Sequence, residues 1–153
     1  MNEIAKYRVV YKDLEEKYGK EERQMKKKVM IVDDEYPIRF IVREIFEPEG
    51  FEVVTAGSGR ECLEELEKGF KGVILMDIMM PQMDGWDTIR AIVDRGFIEG
   101  NIIAMLTAKD VPDQKMEGLQ EYVIDYITKL FEPDELVATV EEYFSCLNLN
   151  TKE

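Results

Sequence analysis

Four apolar runs in this chain each end at side chains suited to phosphate or metal chemistry. The runs cover residues 29–32, 72–76, 102–106 and 126–128. The residues that follow them are, in order, Asp33 with Asp34, Asp77, Thr107 and Lys129. If the runs are parallel strands of one sheet, their carboxyl ends lie side by side, at the edge where open α/β sheets bind ligands. We therefore expect three acids, a hydroxyl and an ammonium to converge there.

Such a cluster of ionised carboxylates is electrostatically unfavourable unless a cation lies among them, and hard oxygen ligands select Mg²⁺ or Ca²⁺. With the metal bound, Asp77 could attack a phosphoryl group and form an aspartyl phosphate, while the metal neutralises charge on the transferring oxygens. Lys129 and Thr107 would then hold the remaining phosphoryl oxygens. Because an aspartate is ordinarily ionised at neutral pH, this chemistry needs no general base, and the chain contains no histidine.

The elements that position these residues alternate between short apolar runs and helix-period segments, which predicts a parallel sheet wound by helices. Five helices are expected between and after the strands, with a capping box at Ser58 and Glu61 and a short fourth helix near residues 114–119. Right-handed crossovers favour the strand order 2-1-3-4-5, the doubly wound, flavodoxin-like α/β fold. The predicted strands lie near Val29–Val32, Glu52–Thr55, Val73–Met76, Ile102–Leu106 and Ile124–Thr128.

The length and the charge limit the class of protein. The 153 residues suit one domain with a short appendage, and the formal net charge is −13. The first 28 residues carry nine Lys/Arg against six Asp/Glu, so the remainder is near −16. A body this acidic is unsuited to binding nucleic acid. The absence of a signal peptide pattern and of a membrane-length apolar run predicts a cytoplasmic protein. Cys62 and Cys146 stand far apart, which predicts two reduced thiols.

Four ordered motifs carry a resemblance to a known family. They are Val32-Asp-Asp-Glu35, the run from Ile74 to Gly85 containing Asp77 and Pro81, Leu106-Thr-Ala108, and Asp125-Tyr-Ile-Thr-Lys129. Over about Lys28 to Leu147 the chain resembles the receiver domain of two-component response regulators. The resemblance implies a phosphoacceptor signalling domain rather than an enzyme, phosphorylated by a sensor histidine kinase or a histidine phosphotransfer protein.

The resemblance also implies roles for individual residues. Asp77 is the phosphoacceptor, and Mg²⁺, or another divalent cation such as Mn²⁺, is held by Asp33, Asp34, Asp77 and the backbone carbonyl of Met79. Thr107 and Tyr126 match the switch pair: the hydroxyl turns toward the phosphoryl group and the ring moves inward. Lys129 matches the phosphate-contacting lysine. The family usually has Lys-Pro at this point, whereas this chain has Leu130 after Lys129.

The predicted organisation is an N-terminal helical extension at 1–27, a receiver domain at 28–148 and a tail at 149–153. Ile4, Tyr7, Tyr11, Leu14, Tyr18 and Met25 form an apolar stripe at helical spacing, interrupted by Gly19. Such a helix could fold back on its own domain or lie exposed in solvent, or it could serve for dimerisation or partner docking. The resemblance implies that the output surface is the fourth helix, fifth strand and last helix, which binds a downstream protein or a second copy. With no output domain expected, the chain would act alone or in a phosphorelay.

Two other functions fit parts of this pattern. A Mg²⁺-dependent phosphatase of the haloacid dehalogenase kind also uses an aspartyl nucleophile on a doubly wound sheet. Its general acid, two residues after the nucleophile, would here be Met79, and no cap domain is expected. A pseudo-receiver that only binds partners would not require the acids, Thr107 and Lys129 together.

Overall fold

The structure is a computed structural model that describes residues 26–108, 118–129 and 131–150, the last three by their backbone alone. It therefore says nothing of most of the N-terminal extension or of most of the predicted fourth helix. The strands are β1 (Lys28–Val32), β2 (Glu52–Ala56), β3 (Gly72–Asp77), β4 (Asn101–Thr107) and β5 (Val123–Thr128). The described α-helices are α1 (Tyr36–Phe46), α2 (Gly59–Glu67), α3 (Gly85–Asp94) and α4 (Pro133–Asn150), with 3₁₀ turns at Glu47–Glu49 and Gln120–Tyr122.

The five strands form one parallel sheet in the order β2-β1-β3-β4-β5. This confirms the predicted fold and strand order. The β1–β3 register pairs Val32 with Met76, and the β3–β4 register pairs Asp77 with Leu106. The carboxyl ends of the three central strands are therefore level, so the residues that follow them share one edge of the sheet.

Helices cover both faces of the sheet, and each face has its own apolar core. One core joins α2 and α3 to side chains such as Met30, Ile74 and Met105. The other joins α1 and α4 to the alternate strand residues, such as Leu75 and Leu106. Because side chains alternate along a strand, a central strand covered on both faces must be apolar throughout. This explains why β1, β3 and β4 are continuous apolar runs.

The start of α2 differs in part from the sequence prediction. Ser58 caps the helix as expected, because its hydroxyl accepts from the Glu61 backbone N–H at 3.1 Å. The Glu61 carboxylate, however, accepts from the N–H of Gly57 rather than from that of Ser58. The reciprocal half of the predicted capping box is therefore wrong, although the carboxylate still satisfies a free backbone donor ahead of the helix. No helix in the described part of the chain is long and apolar enough to cross a membrane.

Candidate functional site

Three acidic residues meet at the carboxyl ends of β1 and β3. Oxygen atoms of Asp33, Asp34 and Asp77 all lie within 4.8 Å of one another. Asp33 and Asp77 are buried, with 0 % and 2 % of their surface exposed, whereas Asp34 is exposed. The parallel register causes this convergence, because Asp33 directly follows the paired residue Val32 and Asp77 follows its partner Met76. The site therefore has two buried carboxylates and one at the solvent edge.

Backbone hydrogen bonds continue the strand pairing for one residue beyond the strands and so fix the site. The Asp33 N–H donates to the Ala56 carbonyl at 3.1 Å, and the Ile78 N–H donates to the Leu106 carbonyl at 3.3 Å. On the far side, the Lys129 N–H donates to the carbonyl of Thr107 at 2.9 Å. Each loop that carries a site residue is thereby attached to the neighbouring strand before it leaves the sheet.

Lys129 supplies the positive charge between the two buried acids. Its ammonium nitrogen lies 3.0 Å from Oδ2 of Asp33 and 3.2 Å from Oδ1 of Asp77. The side chain is mostly buried, so these ion pairs are less screened by water than surface pairs. The lysine thus reaches the site although proline does not follow it; Leu130 lies outside the described residues.

The ionisation of Asp77 reflects this environment. Burial raises the pKa of Asp77 to about 6, and the negative charge of Asp33 adds to the effect, while Lys129 and the Met79 N–H oppose it. Burial by itself lowers the pKa of Lys129, but Asp33 and Asp77 outweigh that effect and raise it above its usual value. Asp77 therefore remains mainly an ionised carboxylate at neutral pH, as a nucleophile requires.

The acidic oxygens suit a divalent cation. Asp33 accepts the Glu35 N–H on Oδ1 at 2.9 Å, and Asp77 accepts the Met79 N–H on Oδ1 at 3.2 Å. Oδ2 of Asp77 is buried and has no hydrogen-bond partner among the described residues. A buried carboxylate oxygen without a donor is costly unless a cation or water satisfies it. An all-oxygen set with an open, buried ligand atom fits Mg²⁺, and also the similar ion Mn²⁺.

The two residues predicted to act as a switch occupy different environments. Thr107 is buried at the end of β4. It follows Leu106, the register partner of Asp77, and is itself paired with Thr128 of β5. Tyr126 lies on β5 with 45 % of its surface exposed. Its ring centroid is 6.4 Å from that of Trp86. Trp86 itself is buried in the core that joins α2 and α3 to the sheet.

Hydrogen bonds that the sequence analysis did not predict hold the loop after Asp77 against the start of α3. Asp84 and Asp87 form a capping box, each carboxylate accepting the other's backbone N–H, at 2.9 and 3.1 Å. The Gly85 N–H also donates to the Ile78 carbonyl at 2.9 Å. A Cβ on Gly85 would lie only 2.5 Å from the carbonyl oxygen of Asp77. The aspartate three residues after Asp84 was a sequence signal that could have revealed this cap.

Arg39 is a second contact that the sequence did not indicate. One of its guanidinium nitrogens donates to the backbone carbonyl of Asp33 at 2.7 Å, and the guanidinium carbon lies 5.7 Å from the centre of the Tyr36 ring. The arginine therefore holds the turn between β1 and α1, on which Asp33 and Asp34 stand. Its position six residues after Asp33 follows no motif, so no sequence signal could have found it.

Comparisons with known proteins agree with this geometry. Residues 29–141 match the family model of the response regulator receiver domain. The chain is 36% identical over 117 residues to the alkaline phosphatase synthesis transcriptional regulatory protein PhoP of Bacillus subtilis. That alignment covers 76% of this chain and 48% of PhoP, so the chain spans about half the length of that curated relative.

Solved structures give the same result. A CheY-like receiver domain protein from Methanospirillum hungatei is 51% identical, with a TM-score of 0.76, over 80% of this chain and 97% of that one. The response regulator TrrA of Thermotoga maritima, solved in complex with Mg²⁺ and BeF, is 30% identical with a TM-score of 0.65, over 76% of this chain and 97% of that one. The four-motif resemblance is thereby confirmed, and the chain belongs to the response regulator receiver domain family.

Proposed function

We propose that Asp77 accepts a phosphoryl group from the phosphohistidine of a sensor histidine kinase or a histidine phosphotransfer protein. The observation that carries this proposal is the buried Asp33–Asp77 carboxylate pair with Lys129 between them. Buried like charges are costly for stability, so this arrangement is better explained by chemistry than by packing.

In the proposed step an Asp77 carboxylate oxygen attacks the phosphorus atom of the partner's phosphohistidine. A new P–O bond forms while the P–N bond breaks, and the imidazole nitrogen leaves with the electron pair and takes up a proton. The product on this chain is an acyl phosphate. Because the carboxylate is already ionised and the partner supplies the leaving imidazole, no general base from this chain takes part.

The metal ligands in this proposal are the carboxylates of Asp33, Asp34 and Asp77 and the backbone carbonyl of Met79. A bound Mg²⁺ or Mn²⁺ would neutralise negative charge on the transferring oxygens. Asp34 stands at the solvent edge, where an ion arrives with part of its water shell. Asp33 and Asp77 supply the buried oxygens, and their backbone donors on Glu35 and Met79 keep the carboxylates oriented.

Lys129 and Thr107 have the role of holding the phosphoryl oxygens. The lysine ammonium lies 3.2 Å from an Asp77 oxygen, so a group attached to Asp77 is within its reach. Thr107 follows Leu106, the register partner of Asp77, and so stands at the same edge of the sheet. Hydrogen bonds from ionised donors to phosphoryl oxygens are among the stronger ones in proteins.

Phosphorylation is proposed to shift the population of two conformations through Thr107 and Tyr126. The threonine turns toward the phosphoryl group and the tyrosine ring moves inward from its exposed position on β5. The responding surface comprises β5, α4 and the predicted fourth helix before β5. Most of that predicted helix lies outside the described residues. A downstream protein or a second copy of the chain binds there, and in a phosphorelay the group passes onward.

The proposal further places the chain in the cytoplasm in a signalling role and not as an enzyme with turnover on external substrates. Membership of the receiver family supports a signalling role. The phosphatase alternative is not favoured, because the position of its general acid is occupied by Met79, whose side chain has no titratable group. The pseudo-receiver alternative is not favoured because every acid of the motif is present.

The test is labelling with acetyl phosphate in the presence of Mg²⁺, using the native chain and Asp77→Asn. We expect one phosphate per native chain, no label with EDTA, and no label on the variant. Asp94→Asn, which changes an exposed acid at the far end of α3, is the matched control and should label normally. A variant at Asp77 that still labels, or a native chain that does not, would refute the assignment. Continuous hydrolysis of many phosphomonoesters would support the phosphatase instead.

A further inference from the structure

An apolar groove lies between α1 and α4, away from the acidic site. Its volume is about 450 Å³, and its apolar lining includes Phe40, Ile41, Ile45 and Val137. Phe40 and Ile41 are 49 % and 45 % exposed, which is unusual for two adjacent large apolar side chains on one helix. The charged residues of the described lining are all acidic: Glu44, Glu49 and Asp134. The groove therefore suits an apolar segment with basic flanks.

The described part of the chain begins beside this groove. The Lys27 ammonium forms an ion pair with Glu141 of α4 and lies 5.8 Å from the centre of the Phe51 ring. Glu141 is four residues after Val137, and residues at this spacing lie on the same face of a helix. Lys27 thus stands on the face of α4 that lines the groove.

Residues 1–12, which precede Lys27 in the chain, combine apolar and basic side chains and so match the apolar, acidic groove. Ile4, Tyr7 and Tyr11 recur at helical spacing within residues 1–12. The same twelve residues contain Lys6, Arg8 and Lys12 against a single acid, Glu3. Residues 13–25 can span up to about 40 Å when extended, which far exceeds the distance of a turn or two of α4.

We propose that residues 1–12 dock into the α1–α4 groove of their own chain, with Ile4, Tyr7 and Tyr11 covering Phe40 and Ile41. The basic side chains then face Glu44, Glu49 and Asp134. A segment tethered this closely acts at an effective concentration of roughly millimolar, which exceeds that of a second copy at ordinary protein concentrations.

Docking would also cover the outer face of α1, a helix that begins three residues after Asp33. If the proposed phosphoryl transfer is right, the segment limits which partner surfaces can approach Asp77 over this helix. This consequence rests on the proposed function, whereas the docking itself does not.

The test measures how fast a maleimide labels Ile41→Cys in the full chain with Cys146→Ser. Burial raises the pKa of the remaining Cys62 to about 12, so that thiol stays unreactive. A second chain adds Tyr7→Glu and Tyr11→Glu, which replace two of the three apolar side chains proposed to fill the groove. The matched control places the cysteine at Ile124 on β5, which is 44 % exposed against 45 % for Ile41.

We expect the glutamate substitutions to accelerate labelling at position 41 by about fivefold or more, because the rate follows the fraction of open groove. Labelling at position 124 should change less than about twofold on the same basis. Equal rates at position 41 with and without the glutamates would overturn the proposal. Protection that grows with protein concentration would overturn it too, in favour of a second copy. Neither measurement requires phosphorylation, so the proposed function can fail while docking stands.

Discussion

Strands β3 and β5 each carry or precede site residues and are both six residues long, but they differ in burial and in position within the sheet. All six residues of β3 are buried, and the strand has a neighbour on each side. β5 is at the edge of the sheet, none of its residues is fully buried, and a register irregularity opposite Ile103 and Ala104 interrupts its pairing with β4. The proposed nucleophile, Asp77, is the last residue of β3. Tyr126 lies within β5, and Lys129 directly follows β5.

This contrast shows how one sheet could carry both a fixed nucleophile and a side chain that moves, the roles proposed for Asp77 and Tyr126. Reactive geometry benefits from a nucleophile on a rigid, packed element. A residue that must change position is better placed where few contacts are broken, which is at an edge with exposed side chains. The irregular register has a further effect, because an extra residue in one strand changes the face to which the next side chains point. It directs Asp125 toward α4, where the Tyr143 hydroxyl donates to it at 2.7 Å.

Truncating one side chain in each strand tests the packing of the two strands directly, and here we expect the greatest loss of stability. Leu75→Ala in β3 removes a fully buried side chain and should lower the free energy of unfolding by about 2–5 kcal/mol. Ile124→Ala in β5 removes a side chain of similar size that is 44 % exposed, and the loss should be within about 0.5–1 kcal/mol. Urea titrations at pH 7 measure both. Similar losses at the two positions would contradict the comparison.

The second prediction concerns cation binding at the end of β3. Saturating Mg²⁺ should stabilise the native chain, by about 2.7 kcal/mol at one hundred times its dissociation constant, and EDTA should reverse the effect. Thermal unfolding at constant ionic strength measures it. Asp34→Asn should lose most of the stabilisation, whereas Asp94→Asn at the far end of α3 should keep it. Equal Mg²⁺ effects in both variants would show that the ion binds elsewhere.

The third prediction follows from the pKa of Asp77, which burial raises from 3.8 to about 6. Between these values the folded state binds more protons than the unfolded state, so this group makes the protein less stable as the pH rises through that window. Above pH 6 its ionised form is a full cost of folding. In EDTA, Asp77→Asn should therefore be more stable than the native chain by about 1–3 kcal/mol at pH 7.5. The difference should shrink below pH 4. A variant that is less stable at pH 7.5 would contradict the inferred environment.

The smallest expected effect concerns how the edge strand is held. Tyr143→Phe removes the hydroxyl that bonds Asp125 and should cost about 0.5–1.5 kcal/mol in the free energy of unfolding. Amide hydrogen exchange should accelerate in β5 and stay unchanged in β3. Burial and the Asp125 carboxylate raise the pKa of Tyr143, as expected for a phenol donating to an acid. Uniform acceleration in both strands would mean that this bond stabilises the whole domain and not its edge.

Much of the fold was predictable because apolar runs of strand length are strong local signals. The ends of all five predicted strands agree with the observed ends to within one residue, and the level ends of β1, β3 and β4 bring the acids together as predicted. The convergence of Lys129 on Asp33 and Asp77 also followed from strand ends alone, despite the leucine after it.

The rest depended on tertiary contacts that leave no pattern in the sequence. Arg39 donates to the backbone carbonyl of Asp33, six residues earlier in the chain. Any donor side chain near that carbonyl could have formed the same bond, so the sequence does not single out Arg39. The burial of Trp86 depends on how α3 packs on the sheet, and its position at the start of a helix does not indicate that packing. The Glu61 contact to Gly57 depends on the path of the chain before α2.

Trp86 gives the molecule an optical property. It is the single tryptophan of the chain, it is buried, and its indole nitrogen has no hydrogen-bond partner within the described part of the structure. Its ring lies 6.4 Å from that of Tyr126, the residue proposed to move. The tryptophan emission of the unlabelled protein therefore arises from one apolar site beside Tyr126. Time-resolved tryptophan fluorescence can test the proposed conversion between two conformations without any added dye.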